Sequence, residues 1–431
     1  FFKVPISLNV PSAALTEETL ARLSRATGKA NYAPYALSRM SCTASGGLTA
    51  SSTVFFEEFL PVSEHIAPRY YVGAYTEQEI HGNKRWLMET IRSAPGLAHN
   101  VGGDFTFDIM RAEPPAKDAV IALEEGAEAL VPVFGTADGQ VLTAQTETVD
   151  DCIWLNPATP NYFRLNAATR LSSAEDFVVG TPIRIGHSPA RRKLVLNILV
   201  DGLSWNIART RFPDCMPNIA RFFARGVIFD QHFSTSECTY PALPVIETGR
   251  YPQHTQVFNE RDSHEIPLDF KTLSECMTDL GYYAAAPMGA SDSVCCGALR
   301  GYDLLNVSAW KLSSAEMADR AIMQIEAFDE TDQFLYLHTT DVHPWNAKGF
   351  KFHPALEPHL PLRQRLFDID AHIASVRLPK LRIYQEQFWQ SLAHADRSIG
   401  HLLTYIEERF RPDEYIVSLY SDHGNSVFTT P

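Results

Sequence analysis

Long apolar runs are missing from this chain. No stretch approaches the roughly 18 consecutive apolar residues that a membrane-spanning helix requires, so no membrane segment is expected in the 431 residues. Basic residues are outnumbered: 37 Lys and Arg stand against 51 Asp and Glu, a formal net charge of -14. That balance carries no signature for nucleic acid or an anionic membrane, both of which are bound through clustered cations. Cysteine is sparse, odd in number and irregularly spaced. Cys42, Cys152, Cys215, Cys238, Cys276, Cys295 and Cys296 include no C-x-x-C pair, so neither a zinc ribbon nor a disulfide framework is indicated, and the scattered thiols lean toward a reducing, cytoplasmic setting. Internal repeats and low-complexity tracts are lacking as well. The chain starts FFKVPISLNV, without an initiator Met or a signal-peptide pattern, and is read as an excerpt of a longer chain or a processed one. Nothing in the composition speaks to oligomeric state.

What is present fits a globular protein: 45% hydrophobic and 20% charged residues, over a length that suggests two domains. Residues 1–190 read as a separate, mixed α+β accessory region. LTEETLARLSRATG and TEQEIHGNKRWLMETIRSA have helical character, whereas EALVPVFG, GQVLTAQTETV and NYFRLNAATRL read as strands. No catalytic motif emerges there. GHSPARRK, at 186–193, has the Gly, Pro and basic character of a domain edge.

From 191 to 431 the rhythm changes. KLVLNILVDGL is a β-branched and Leu run of the kind a strand buried on both faces shows. MPNIARFFARG reads as a helix, VIFDQHF as a candidate strand, TLSECMTDLGYYAAA as helix, Gly stop and strand, and QFLYLHTTDVHPW as a strand entering a loop. A long amphipathic helix follows, with Phe388, Leu392, Ala395, Ile399, Leu402, Leu403 and Ile406 on one face. EYIVSLYSDHGN is a last strand. Alternating strands and helices predict an α/β domain with a mostly parallel sheet flanked by helices.

In such a sheet chemistry gathers beyond the carboxyl ends of the strands. Asp201, then Asp341 and His343, then Asp422 and His423 each follow an apolar run closely. Carboxylates and imidazoles form a hard-to-borderline donor set suited to Zn²⁺ or Mn²⁺, and converging carboxylates without a cation would repel one another. Each residue alone has an ordinary explanation as a turn, a cap or a packed loop histidine; their shared placement is what points to a metal. The segment STSECTYPALPVIETGRYPQ, 234–253, offers Ser236, Cys238 and Thr239 as nucleophiles. A hydroxyl residue before a Pro-led helix is also an ordinary N-cap, so the segment by itself leaves cap and nucleophile open.

Taken in order, LVLNILVDGL, CTYPALPVIETGRYP, FLYLHTTDVHPW, YQEQFWQSLAHADRSIGHLL and YIVSLYSDHGN resemble the sulfatase-like branch of the alkaline phosphatase superfamily over about 193–431. The resemblance implies an alkaline phosphatase-like fold and a metal site made by Asp201, Thr239, Asp422 and His423. It implies Thr239 as the nucleophile, with His343 contacting the anionic group of the substrate beside Trp345. Sulfatases carry Cys or Ser in C/S-x-P-x-R. Here Thr239 and Pro241 hold the first two motif positions, Cys238 is one residue early, and Leu243 stands in place of Arg. The expectation is therefore a phosphoester rather than a sulfate ester as substrate. The implied cofactor is one divalent ion, Zn²⁺ or Mn²⁺ before Ca²⁺ or Mg²⁺, with Asp341 as a ligand for a second. The alternatives are a two-metal phosphomonoesterase or mutase of the same superfamily, and a binding protein that keeps the fold without activity.

Overall fold

A computed structural model describes residues 105–258, 266–289, 301–343 and 375–428 apart from short stretches within them, and the strands at 35–42, 48–55 and 70–77. The helix expected at 15–28, together with Trp345, Cys295 and Cys296, lies outside the described residues; of the helix expected at 76–94, Thr76 and Glu77 instead end a strand, Tyr70–Glu77, and the rest lies outside the described residues.

Among the described residues, sixteen strands form two sheets. The first four are β1 (Tyr35–Cys42), β2 (Leu48–Phe55), β3 (Tyr70–Glu77) and β4 (Phe105–Ala112). The next seven are β5 (Ala116–Ile121), β6 (Ala129–Gly135), β7 (Val141–Gln145), β8 (Asp150–Trp154), β9 (Asn161–Leu165), β10 (Thr169–Val179) and β11 (Ile183–Arg184). The last five are β12 (Leu194–Val200), β13 (Tyr283–Met288), β14 (Leu304–Ser308), β15 (Gln333–Thr339) and β16 (Tyr415–Tyr420).

The larger sheet has the order β16-β12-β15-β13-β14-β4-β3-β1-β2. Its first five strands are mutually parallel. β4 then joins β14 antiparallel, so the sheet continues into the N-terminal part of the chain. The expected α/β architecture is present, flanked by helices. β12, β13 and β15 are buried along nearly their whole length, which is why they read as unbroken apolar runs. The helix Arg382–Arg409 buries all seven apolar residues expected on its inner face. They pack with Leu196, Ile198, Leu335 and Leu337 of the sheet and with Met317 and Ala321 of the helix Ser314–Ala327. On the same long helix, buried Asp396 accepts from the Ile219 and Asn218 amides and from Asn218 Nδ2, tying down the helix Pro217–Phe223.

VIFDQHF is not a strand. Residues 227–233 are loop, with Val227, Phe229 and Phe233 exposed. The segment has strand-like composition, yet no strand among the described residues pairs with it, and composition alone does not make a ladder.

β5–β11 form the second sheet, with its own core around Val131, Val133, Leu142, Leu171 and Phe177. The three expected strand segments fall on β6, β7 and β9–β10. This part meets the larger sheet where the parallel strands begin. Arg164 bonds Glu330 just before β15, Ile183 packs with Tyr283 and Phe328, and the main chain bridges Gly186 to Thr331. GHSPARRK is held at the same edge. Buried Asp332 accepts from the Ser188 amide at 3.0 Å and from Arg191 Nε at 2.7 Å, and lies 2.9 Å from His187 Nδ1. The second sheet therefore sits at the end of the parallel strands opposite to the one where Asp201 and His423 emerge.

Candidate metal centre and nucleophile

Three strand ends and one helix start converge. β12, β15 and β16 are neighbours in the sheet, so the residues that follow them emerge side by side. Asp201 continues the ladder, its amide donating to the Thr339 carbonyl at 2.9 Å. Gly202 turns the chain away with φ 70°, a left-handed conformation that glycine adopts without a Cβ penalty. Its amide faces Asp422 Oδ1 at 3.4 Å, and Asn425 Nδ2 bonds its carbonyl at 2.8 Å. These contacts lock the ends of β12 and β16 together.

Thr239 opens the ten-residue helix Thr239–Thr248. The N-cap is Cys238, in extended backbone, so Thr239 is the first helical residue rather than the cap. Cys238 pairs locally with Ser236, and Ser234 Oγ bonds the carbonyls of Asp422 and Ser236. The helix stops at Gly249, left-handed at φ 64°, whose amide returns to the Val245 carbonyl at 2.8 Å. This is the physical content of the Thr-Gly pair in the motif.

The side chains meet closely. Thr239 Oγ1 lies 3.2 Å from His423 Nε2 and 3.4 Å from Asp201 Oδ2. His423 Nε2 is 3.1 Å from Asp201 Oδ1 and 3.5 Å from Asp422 Oδ2. His343 Nε2 stands 3.8 Å from Asp201 Oδ1. Asp201, His343 and His423, all buried, present ligand atoms within 4.8 Å of one another. Asp422 borders this group through His423. Asp341 does not join it: its carboxylate accepts from the Ser314 amide at 2.8 Å and from Ser314 Oγ, at the start of the helix Ser314–Ala327. Its environment is that of a helix-terminus acceptor.

Sequence reasoning passed over His338. It lies on β15, one residue before the strand ends, is fully buried, and has Nε2 3.1 Å from Asp201 Oδ2. A polar residue closing the otherwise apolar FLYL run was the available signal.

The electrostatics favour a cation. Burial raises the Asp201 carboxyl, but the nearby His343 charge, the bond from His338 and the His423 charge outweigh it and hold it well below the usual carboxylate range. Burial, then Asp201 itself, pushes Asp422 up. Burial lowers His423, but Asp422 and Asp201 overcome this and raise it to about 9. Without an ion, the carboxylates are balanced only by protons on imidazoles. The hydrogen-bond pattern agrees with a metal. His423 Nδ1 contacts the Gly424 carbonyl at 2.8 Å, which can only accept, so Nδ1 carries the proton and Nε2 is left to serve as a ligand. Two buried oxygens, Asp201 Oδ1 and Asp422 Oδ2, accept no hydrogen bond, an expensive arrangement unless a cation fills it. Asp201, His343 and His423 form a candidate site for a divalent ion, with Asp422 bordering it.

Glu247, in the last turn of the helix Thr239–Thr248, is a further buried carboxyl. It accepts from the Ser274 amide and hydroxyl and from the Tyr302 hydroxyl, each at 3.3 Å. Burial raises it to about 7 from 4.5 despite these donors. A carboxyl with a raised folded value is most stabilising below its unfolded value, and that contribution is lost as pH rises through the folded one. Between pH 4.5 and 7, wild type is therefore expected to lose about 3 kcal/mol of stability relative to Glu247→Gln, whose amide does not titrate. Denaturant melts of both proteins across that range check it. Parallel profiles would show that folding does not raise the Glu247 carboxyl.

The chain belongs to a known class. The sulfatase family model matches residues 193–430, more than half of the chain, and the chain belongs to the sulfatase family within the alkaline phosphatase superfamily. Solved structures of that superfamily align with it. The phosphonate monoester hydrolase of Agrobacterium radiobacter is 15% identical, with 56% of this chain and 64% of that one covered and a TM-score of 0.41. The C-terminal periplasmic domain of a phosphoethanolamine transferase from Campylobacter jejuni is 14% identical, with 56% and 71% covered and a TM-score of 0.37. An alkaline phosphatase superfamily protein from Vibrio parahaemolyticus is 14% identical, with 57% and 58% covered and a TM-score of 0.39. The chain spans less than two thirds of the first of these relatives' own length. Comparison with curated proteins returns no match. No helix among the described residues is long and apolar enough to cross a membrane.

Proposed function

We propose that this protein hydrolyses or transfers a phosphoester, a phosphodiester or a phosphonate monoester, through a covalent phosphothreonine at Thr239. The observation that carries the reading is the position of Thr239 Oγ1, at a helix start and 3.2–3.4 Å from two residues of the candidate metal centre. A bound divalent ion would supply Lewis acidity, lowering the hydroxyl pKa and neutralising phosphoryl charge.

The chain's own residues supply the rest. Thr239 Oγ1 directs its proton toward Asp201 Oδ2 and attacks phosphorus, forming the Oγ–P bond as the bond to the leaving oxygen breaks. The positive end of the helix Thr239–Thr248 faces the developing charge. His343, 6% exposed, lies at the rim of the cluster and gives a proton to the leaving oxygen. Water or a second alcohol then attacks phosphorus, giving its proton to His343, and the Oγ–P bond breaks as the proton held by Asp201 returns to Thr239 Oγ1; the first nucleophile gives hydrolysis and the second gives transfer. Leu243 supports the choice of a phosphoester. It occupies the place of the sulfatase Arg and is buried, 2% exposed, as an apolar residue of its helix.

A substrate panel tests this: aryl phosphodiester, aryl phosphonate, aryl phosphomonoester and aryl sulfate, each with and without chelator. The expected result is turnover of the diester or phosphonate that chelation abolishes and added Zn²⁺ or Mn²⁺ restores. Including a simple alcohol and following where phosphorus goes separates hydrolase from transferase. Preference for aryl sulfate, or turnover indifferent to chelation, overturns the reading.

A further inference from the structure

We propose that His338 is a positioning residue for the metal centre: its Nε2–H holds one oxygen of Asp201 so that the other is presented to the ion. The inference rests on the metal-dependent reading of this site and assigns the job to a residue outside the candidate ligand set.

The geometry divides the work of the two Asp201 oxygens. Oδ2 lies 3.1 Å from His338 Nε2 and 3.4 Å from Thr239 Oγ1. Oδ1 accepts no hydrogen bond and faces His423 Nε2 at 3.1 Å and His343 Nε2 at 3.8 Å. An ionised carboxylate can only accept, so His338 Nε2 is the donor. A carboxylate without that donor could rotate about its terminal torsion, which is broad and roughly two-fold. It could then turn either oxygen, or neither squarely, toward the ligand cluster.

His338 is placed to prevent this. β15 lies between β12 and β13, and His338 pairs with Leu199 on one side and Met288 on the other. Its carbonyl accepts from the Gly289 amide at 2.7 Å. The side chain is 0% exposed, and its ring meets Tyr336 edge-on at 6.2 Å. A ring fixed by a central strand and a packed neighbour is a rigid donor, and partners of this kind orient ligands and raise metal affinity.

Metal affinity, rather than turnover, is the test. Zn²⁺ and Mn²⁺ dissociation constants would be measured by chelator competition for wild type, His338→Gln and His338→Asn. Circular dichroism melts in excess chelator would establish that each variant is folded. Glutamine can set its amide nitrogen near the place of Nε2, whereas asparagine is too short. His338→Asn is expected to bind metal about 10- to 100-fold more weakly than wild type, and His338→Gln to recover most of that loss. Equal affinity in all three folded proteins overturns the proposal, as does failure of wild type to bind either ion. If affinities follow the expected order but no ester in the panel is turned over, the positioning role stands and the catalytic reading falls.

Discussion

Thr239→Ala should reduce turnover of the preferred phosphoester by at least about a thousandfold, because it deletes the atom that bonds to phosphorus. The fold should survive. Thr239 is the first residue of its helix rather than the cap, and alanine is favourable within a helix. Its hydroxyl faces His423 and Asp201 at 3.2 and 3.4 Å inside the candidate centre, so little packing is lost. Thr239→Ser keeps the oxygen and should keep measurable activity. The decisive comparison is steady-state kinetics of the three proteins, beside mass spectrometry of acid-quenched wild type for one added phosphoryl group. Near wild-type turnover by the alanine variant would remove Thr239 from the chemistry.

The second large effect is expected at Asp201. Asp201→Asn is nearly isosteric but removes the charge nearest to both His343 and His423. Bound metal after gel filtration should fall from about one equivalent to less than a tenth, with turnover falling alongside. A variant that kept a full equivalent would exclude Asp201 as a ligand. Wild type should also bind metal more tightly as pH rises from 7 toward 9. Its His423 imidazole, raised to about 9, must give up a proton before Nε2 can ligate, so affinity should gain up to about tenfold per pH unit. Isothermal titration in buffers of differing ionisation heat would detect the released proton.

Much of this was legible in the chain. Strands buried on both faces declare themselves, because every position must be apolar; β12 and β15 are of that kind, and the polar residues just beyond them stood out by contrast. The inner face of the helix Arg382–Arg409 was readable from its spacing for the same reason. Other features had no comparable signal. Asp341 follows an apolar strand just as Asp201 does, and only the fold reveals that the helix start at Ser314 engages it. His338 lies within its strand, where an isolated polar residue is easily taken for a packing detail. The segment 227–233 shows the opposite error: its Val, Ile and Phe content suggested a strand, but strand formation depends on a partner edge that no local pattern encodes. The cap at Cys238 differed from expectation by one residue, within the usual uncertainty of helix boundaries.

The sheet order has a consequence for biosynthesis. Asp422 and His423 follow β16, which among the described residues pairs only with β12, and about 220 residues separate them from Gly202. At roughly 5–20 residues per second, a ribosome would take roughly 10–40 s to travel from one half of the ligand set to the other. Throughout that interval the nascent protein would display Asp201 and Thr239 without the imidazole and carboxylate that complete their grip. Capture of an ion at the candidate centre would therefore wait on the docking of β16 against β12.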